Sequence, residues 1–196
     1  MDVEVRLLRD DERAAAGGVA GRALADGPMA RWVYGDPPVL RVGSTLDIFV
    51  GYVQTLPEPI GALIGDHVVG VCASAPPGGC VGSVAPEEWR TPPAVIGDPG
   101  DLSRQHYTWG LMCAHDLPER HWHLGPVSVE PGLQGAGIGA RMLTMFGERM
   151  DEAGEVAWLE TDKPENVVFY RRAGWDVIDE VNEHGLTTWF MRRDPR

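Results

Sequence analysis

The chain has 196 residues, 43% hydrophobic and 23% charged, which suits one globular domain over residues 1–196 with a substantial core. That composition excludes intrinsic disorder, and no run of ~18 apolar residues exists to span a membrane. Seventeen basic against 29 acidic residues leave a formal net charge of −12. Such a surface repels nucleic-acid phosphates, so neither nucleic acid nor membrane is an expected partner, whereas a cationic ligand is tolerated.

The opening residues, Met1-Asp2-Val3-Glu4-Val5-Arg6, alternate and carry charge, unlike a signal or transit peptide. The expected location is therefore cytoplasmic. Val3, Val5 and Leu7 mark a half-buried strand. An Ala-rich helix with acids in its first turn is expected from Asp10 to about Ala25, followed by helices at Pro28–Tyr34 and Arg41–Leu56. Ile60–Ile64 and Val68–Ala75 read as a hairpin around Gly65-Asp66-His67. From Pro76 to Asp101, 11 of 26 residues are Pro or Gly, which predicts a long loop of the kind that often covers a site. A helix over Leu102–Leu117 follows. Cys72, Cys80 and Cys113 lack CxxC spacing, and no disulfide framework or zinc ribbon follows from them.

The second half is more regular. His121–Val129 alternates as a strand. Gly137–Ala153 puts Ile138, Met142, Met145, Phe146 and Met150 on one helical face, and Gly154 ends it. Val156–Thr161 is a further strand. Asp162 and Glu165 have capping-box spacing, with Pro164 in the first turn of a helix that runs to Ala173 and Gly174. Trp175–Val181 and Leu186–Met191 then pair as a closing hairpin.

The chemistry concentrates in Val127-Ser128-Val129-Glu130-Pro131-Gly132-Leu133-Gln134-Gly135-Ala136-Gly137-Ile138-Gly139, a strand, a glycine-rich loop and an amphipathic helix in succession. Small residues let a ligand approach the backbone, and the unpaired first-turn amides with the helix dipole suit a phosphate. The Walker pattern is excluded, because Gly139 is followed by Ala140-Arg141 rather than Lys-Ser/Thr. Gly135-x-Gly137-x-x-Ala140 with Glu160 downstream matches a dinucleotide fingerprint. However, Glu130–Gln134 separate it from its strand, and only 36 residues follow Glu160.

Gln134-x-x-Gly137-x-Gly139 resembles the pyrophosphate loop of the GNAT superfamily of N-acetyltransferases, (Arg/Gln)-x-x-Gly-x-(Gly/Ala). Asn166-x-x-Phe169-Tyr170-x-x-x-Gly174-Trp175 resembles that family's second signature. The resemblance is strong over Leu124–Val181, weaker elsewhere, and departs from the family mainly in the Pro76–Asp101 loop and the segment after it. It implies an α/β (α+β) GNAT fold: a mixed sheet of about seven strands, antiparallel in its N-terminal half, with a splayed parallel pair and flanking helices. It also implies acetyl-CoA as co-substrate and transfer of its acetyl group to a primary amine by direct attack. Pantetheine would pair along Val127, Ser128 and Val129, and the amides of Gly135, Ala136, Gly137, Ile138 and Gly139 would hold the pyrophosphate beside Gln134. An N–H near Val129 would polarise the thioester. Asn166 would bond the pantetheine arm, and Tyr170 would protonate the departing thiolate.

The base is expected on the splayed strands. His121 and His123 share a strand face, and arylalkylamine N-acetyltransferases, a related enzyme type, carry a His-x-His pair on the corresponding strand. Counted back from Gln134, only His123 overlays one of those histidines, and Gly125 replaces the other. His123 is preferred over Glu160 because imidazole titrates near neutrality, and the strand period puts it on the face of Gly125, Val127 and Val129. If that face turns into the core, both histidines are structural. Cys113, His115 and Asp116 near these histidines invite a metal reading, but acetyl transfer requires none and no metal is assigned. The acceptor stays open between a small amine, an antibiotic and a protein N-terminus or lysine, and assembly between monomer and homodimer. A non-catalytic acyl-CoA-binding or regulatory domain is the rival reading, and a nicotinamide oxidoreductase a distant third.

Overall fold

The computed structural model describes residues 2–196. The opening alternation forms β1 (Glu4–Leu7), and the Ala-rich segment forms α1 (Arg13–Leu24) after one turn of 3-10 helix at Asp10–Glu12. Pro28 and Pro38 each occupy the first turn of a helix, where a missing N–H costs nothing. They open α2 (Pro28–Tyr34) and α3 (Pro38–Thr55), the latter three residues earlier than expected. The hairpin is β2 (Ile60–Ile64) and β3 (His67–Ala75). The Pro/Gly-rich loop contains a short helix that its composition does not announce, α4 (Val81–Val84), and leads to α5 (Leu102–Ala114). Then come β4 (Trp122–Val129), α6 (Ile138–Ala153), β5 (Ala157–Thr161), α7 (Pro164–Arg172), β6 (Asp176–Glu183) and β7 (Leu186–Arg193). Among the described residues no helix is long and apolar enough to cross a membrane.

All seven strands form one sheet in the order β1-β2-β3-β4-β5-β7-β6, antiparallel throughout except for β4 and β5. One face carries α6 and α7. Ile138, Met142, Phe146 and Met150 pack there with Val167 and Tyr170 against Leu124 and Leu159. On the opposite face Ala16 and Ala20 of α1 and Val53 of α3 cover Leu63, Val71 and Ala73. Tyr107 and Leu111 of α5 cover Trp158 and Phe190 on that same side, the two sheet rings stacking 5.6 Å apart.

The capping box expected at Asp162 does not form. Lys163 is the N-cap of α7 without a side-chain bond, and the Asp162 carboxylate instead accepts from the Met29 N–H at 2.6 Å. A tertiary partner has taken the oxygen that local spacing reserved for the helix. The bond ties the C-terminal end of β5 to the first turn of α2.

The start of α1 is held by Glu12, which is buried and accepts from Arg6 at 2.7 and 2.8 Å and from the Arg9 N–H at 2.8 Å. The Arg6 hydrogen bond is the main cause that holds the Glu12 carboxyl down to about 2. A carboxyl depressed in the folded state stabilises above its unfolded pKa, and that stability is lost as pH falls towards the folded value. Glu12→Gln should therefore cost about 1–3 kcal/mol near neutrality. The gap in Tm between wild type and variant should close between pH 4.5, the carboxyl's ordinary value, and about 2. Thermal melts across that range check it, and a gap independent of pH would contradict it.

Candidate active site

β4 and β5 are hydrogen-bonded neighbours over two residue pairs only, Trp122 with Ala157 and His123 with Trp158. Beyond His123 they diverge. On its other side β4 stays paired to β3, where Val127, Ser128 and Val129 face Cys72, Val71 and Gly70. The Glu130 N–H reaches Val69 O, so by strand alternation Ser128 also bonds towards β3, while Val127 and Val129 turn their backbone groups into the opening. The expected splay is present, with an unpaired strand edge along it.

The loop after β4 is exposed from Gln134 to Gly137. Gly135 and Gly137 have φ of +78° and +79°, a left-handed conformation that a β-carbon disfavours. Gly137 is the N-cap of α6 and has no side chain to cap it, and the first helical bond runs from the Arg141 N–H to Gly137 O. The amides of Ile138, Gly139 and Ala140 thus lack helical partners. Ala136 is exposed in this loop, and the Gln134 side chain staples it to the strand by donating to Val129 O at 3.1 Å. From α7, Asn166 donates to the Thr161 hydroxyl at 3.1 Å. Tyr170 is buried between Phe169 and Trp175. Burial raises its hydroxyl well above the usual phenol range, and the negative charges of Cys72, Glu160 and Asp162 add to the rise.

The histidines do not share a face with Val127 and Val129. Leu124 pairs with Ser74 and Val127 with Cys72, so Gly125-Pro126 is one residue more than β3 supplies, a bulge that reverses the pleat. Leu124, Val127 and Val129 consequently all pack towards α6 and α7. His123 lies opposite Ala75, whose side chain belongs to the core beneath α1 and α3. The strand period was sound on either side of the bulge and failed across it.

His123 and Glu160, weighed as alternative bases, are partners. Nε2 of His123 lies 2.7 Å from Oε2 of Glu160. Burial disfavours the imidazolium, but the Glu160 charge and the neighbouring Cys80 outweigh it and push His123 up to about 10. This ring is therefore not poised at neutrality as its ordinary pKa suggests. His121 is also buried, with Nε2 3.0 Å from Oδ1 of Asp116, and Oδ2 of Asp116 lies 3.2 Å from the Cys80 sulfur. Burial opposes the Cys80 thiolate, yet the neighbouring His121 and His123 imidazoles bring it down to about 6. Tyr52 of α3 packs against the core on the same side. Burial raises its hydroxyl to about 12, with Glu160 and Cys80 contributing.

Cys80 is the functional candidate that sequence reading passed over, because 40 residues and most of the loop separate it from His121. Conversely, Cys113 donates to Val81 O, and His115 stacks on Phe190 while its Nδ1 meets Asp179. Neither joins the histidine cluster.

Residues 51–175 match the model of the acetyltransferase (GNAT) family. Among solved structures, the chain is similar to the Corynebacterium glutamicum protein described as histone acetyltransferase HPA2 and related acetyltransferase. That match has a TM-score of 0.69 and 17% identity over 100% of this chain and 98% of the other. Drosophila melanogaster polyamine N-acetyltransferase, which forms N-acetylagmatine, aligns with TM-score 0.69 and 15% identity over 98% and 100%. A mosquito arylalkylamine N-acetyltransferase-like protein aligns with TM-score 0.68 and 13% identity, also over 98% and 100%. At these identities the likeness is one of fold.

Proposed function

The chain belongs to the acetyltransferase (GNAT) family and is an acetyl-CoA-dependent N-acetyltransferase, and on that premise we propose that its acceptor is a small primary amine. The carrying observation is the splay of β4 from β5 just beyond the Glu160–His123 pair, and we assign Tyr170, packed in the core on the α7 side, to its border.

The free features of the splay fit the co-substrate, which supplies an activated acetyl group. Unpaired amides at Gly135–Ala140 suit its diphosphate. Val127 and Val129 offer main-chain groups to pantetheine as an added strand would need, with Asn166 at the far wall. The Val129 N–H, directed into the gap, is placed to polarise the thioester oxygen where negative charge develops. Tyr170 keeps its proton at every physiological pH and so can donate it to the departing thiolate.

Glu160, rather than His123, meets the amine. The imidazole commits Nε2 to Glu160 and borders Cys80, whereas Glu160 is the more exposed of the two side chains, at 19% against 9%. Its carboxylate holds the incoming ammonium and receives the proton as nitrogen attacks, with His123 as the positioning partner. A net charge of −12 and a carboxylate at the reacting centre favour a cationic acceptor. Two structurally similar proteins, named for polyamines and arylalkylamines, support the same class.

Gly137→Val should abolish the acetyl-CoA-induced rise in Tm, because a branched residue is strained at φ +79° and closes the amide cradle. A folded variant with unaltered affinity would remove the loop from the binding site. Tyr170→Phe and Glu160→Gln should both keep acetyl-CoA binding and lose roughly 10²–10⁴-fold in turnover, measured by free-CoA release. Wild-type turnover in either would return that proton transfer to water. In a panel of polyamines, arylalkylamines and lysine peptides, kcat/KM should be highest for a small diamine or arylalkylamine. Activity confined to peptides would overturn the acceptor class.

A further inference from the structure

We propose that Cys80, Asp116 and His121 form a binding site for one divalent transition-metal ion, zinc by choice of donors. The three side chains arrive from separate elements: the N-cap of α4, the segment after α5 and the residue before β4. Their donor atoms all lie within 4.8 Å of one another, with Cys80 and His121 buried and Asp116 half-buried. Ligands about 2.0–2.3 Å from a tetrahedral zinc stand about 3.3–3.5 Å apart. The observed 3.2 Å from sulfur to Oδ2 and 3.0 Å from Nε2 to Oδ1 lie close to that spacing, and adjustment of the carboxylate and imidazole would bring one oxygen, the sulfur and Nε2 onto a common ion.

Two further features point to an ion rather than to a closed hydrogen-bond network. Nδ1 of His121 lies 2.8 Å from the Glu119 carbonyl, which can only accept, so Nδ1 keeps its proton and Nε2, facing the cluster, is the nitrogen that would give up its proton and ligate. That second contact is the usual way a metal-binding imidazole is oriented. Nε2 itself is buried and, despite its closeness to Asp116, makes no hydrogen bond. Gly82 also shapes the site, since a β-carbon there would fall 2.0 Å from Oδ2 of Asp116. The carboxylate is thereby seated against α4 beside the sulfur.

Three protein donors leave a fourth position for water, since Nε2 of His123 is held by Glu160. The ion would take the place of the Nε2 proton and of any remaining thiol proton, both released to solvent, and pin the Pro76–Asp101 loop to the start of β4, two residues from His123. Acetyl transfer does not pass through it, and the site stands or falls independently of the acceptor assignment.

The full chain, stripped with chelator, is titrated with Co²⁺ and then with Zn²⁺. One Co²⁺ per chain should bind with a thiolate-to-cobalt charge-transfer band that Zn²⁺ abolishes, and Zn²⁺ should raise Tm. Cys80→Ser should lose the band and His121→Gln should weaken binding at least about tenfold, while Cys113→Ser keeps both. A Tm rise with acetyl-CoA in each variant verifies its fold. No saturable Co²⁺ band in wild type, or a band that survives Cys80→Ser, would overturn the site.

Discussion

Two hydrogen-bonded residue pairs, and no more, hold β4 to β5, and the rest of the molecule is arranged around the point where that pairing stops. A parallel strand pair inside a sheet leaves no backbone group free, so a site between strands needs the ladder to end within the core. Here it ends after His123 and Trp158. The free edge that results is followed by a loop of uncapped amides, and α7, with Asn166 and Tyr170, follows β5. Binding by main chain tolerates wide sequence variation. A fold can therefore persist at 17% identity while the groups that choose an acceptor change.

The bulge at Gly125-Pro126 divides the labour between the two faces of the sheet. By adding one residue to β4 it sends Leu124, Val127 and Val129 to the α6–α7 side and His123 to the other. Without it, an unbroken pleat would turn Val127 and Val129 towards the histidine's side, and the valines that border the splay would lose their packing against α6 and α7. Ionisable groups consequently gather on that other side, where buried Cys80, His121 and His123 neighbour half-buried Asp116 and Glu160. Burial by itself would discharge each of them. Together they hold opposite charges against that penalty, which is why both imidazoles rise and the thiol falls.

Much of this was legible in the residues alone. Helix ends at Gly154 and Gly174, the amphipathic face of α6, the hairpins and the uncapped loop are all local, set by backbone freedom and by periods of 3.6 and two. Those local signals, with two motifs at the right separation, determined the family, the fold and the co-substrate. What they could not carry was any choice among distant partners. Asp162 has the spacing of a helix cap and bonds Met29 instead, and a period of two cannot foresee an extra residue that only the partner strand reveals. Cys80 carries no sign of its neighbours, which come from the far side of a loop. Tertiary structure decided these points because a hydrogen bond or an ion pair depends on distance in space. Its partner is settled only when the whole sheet closes.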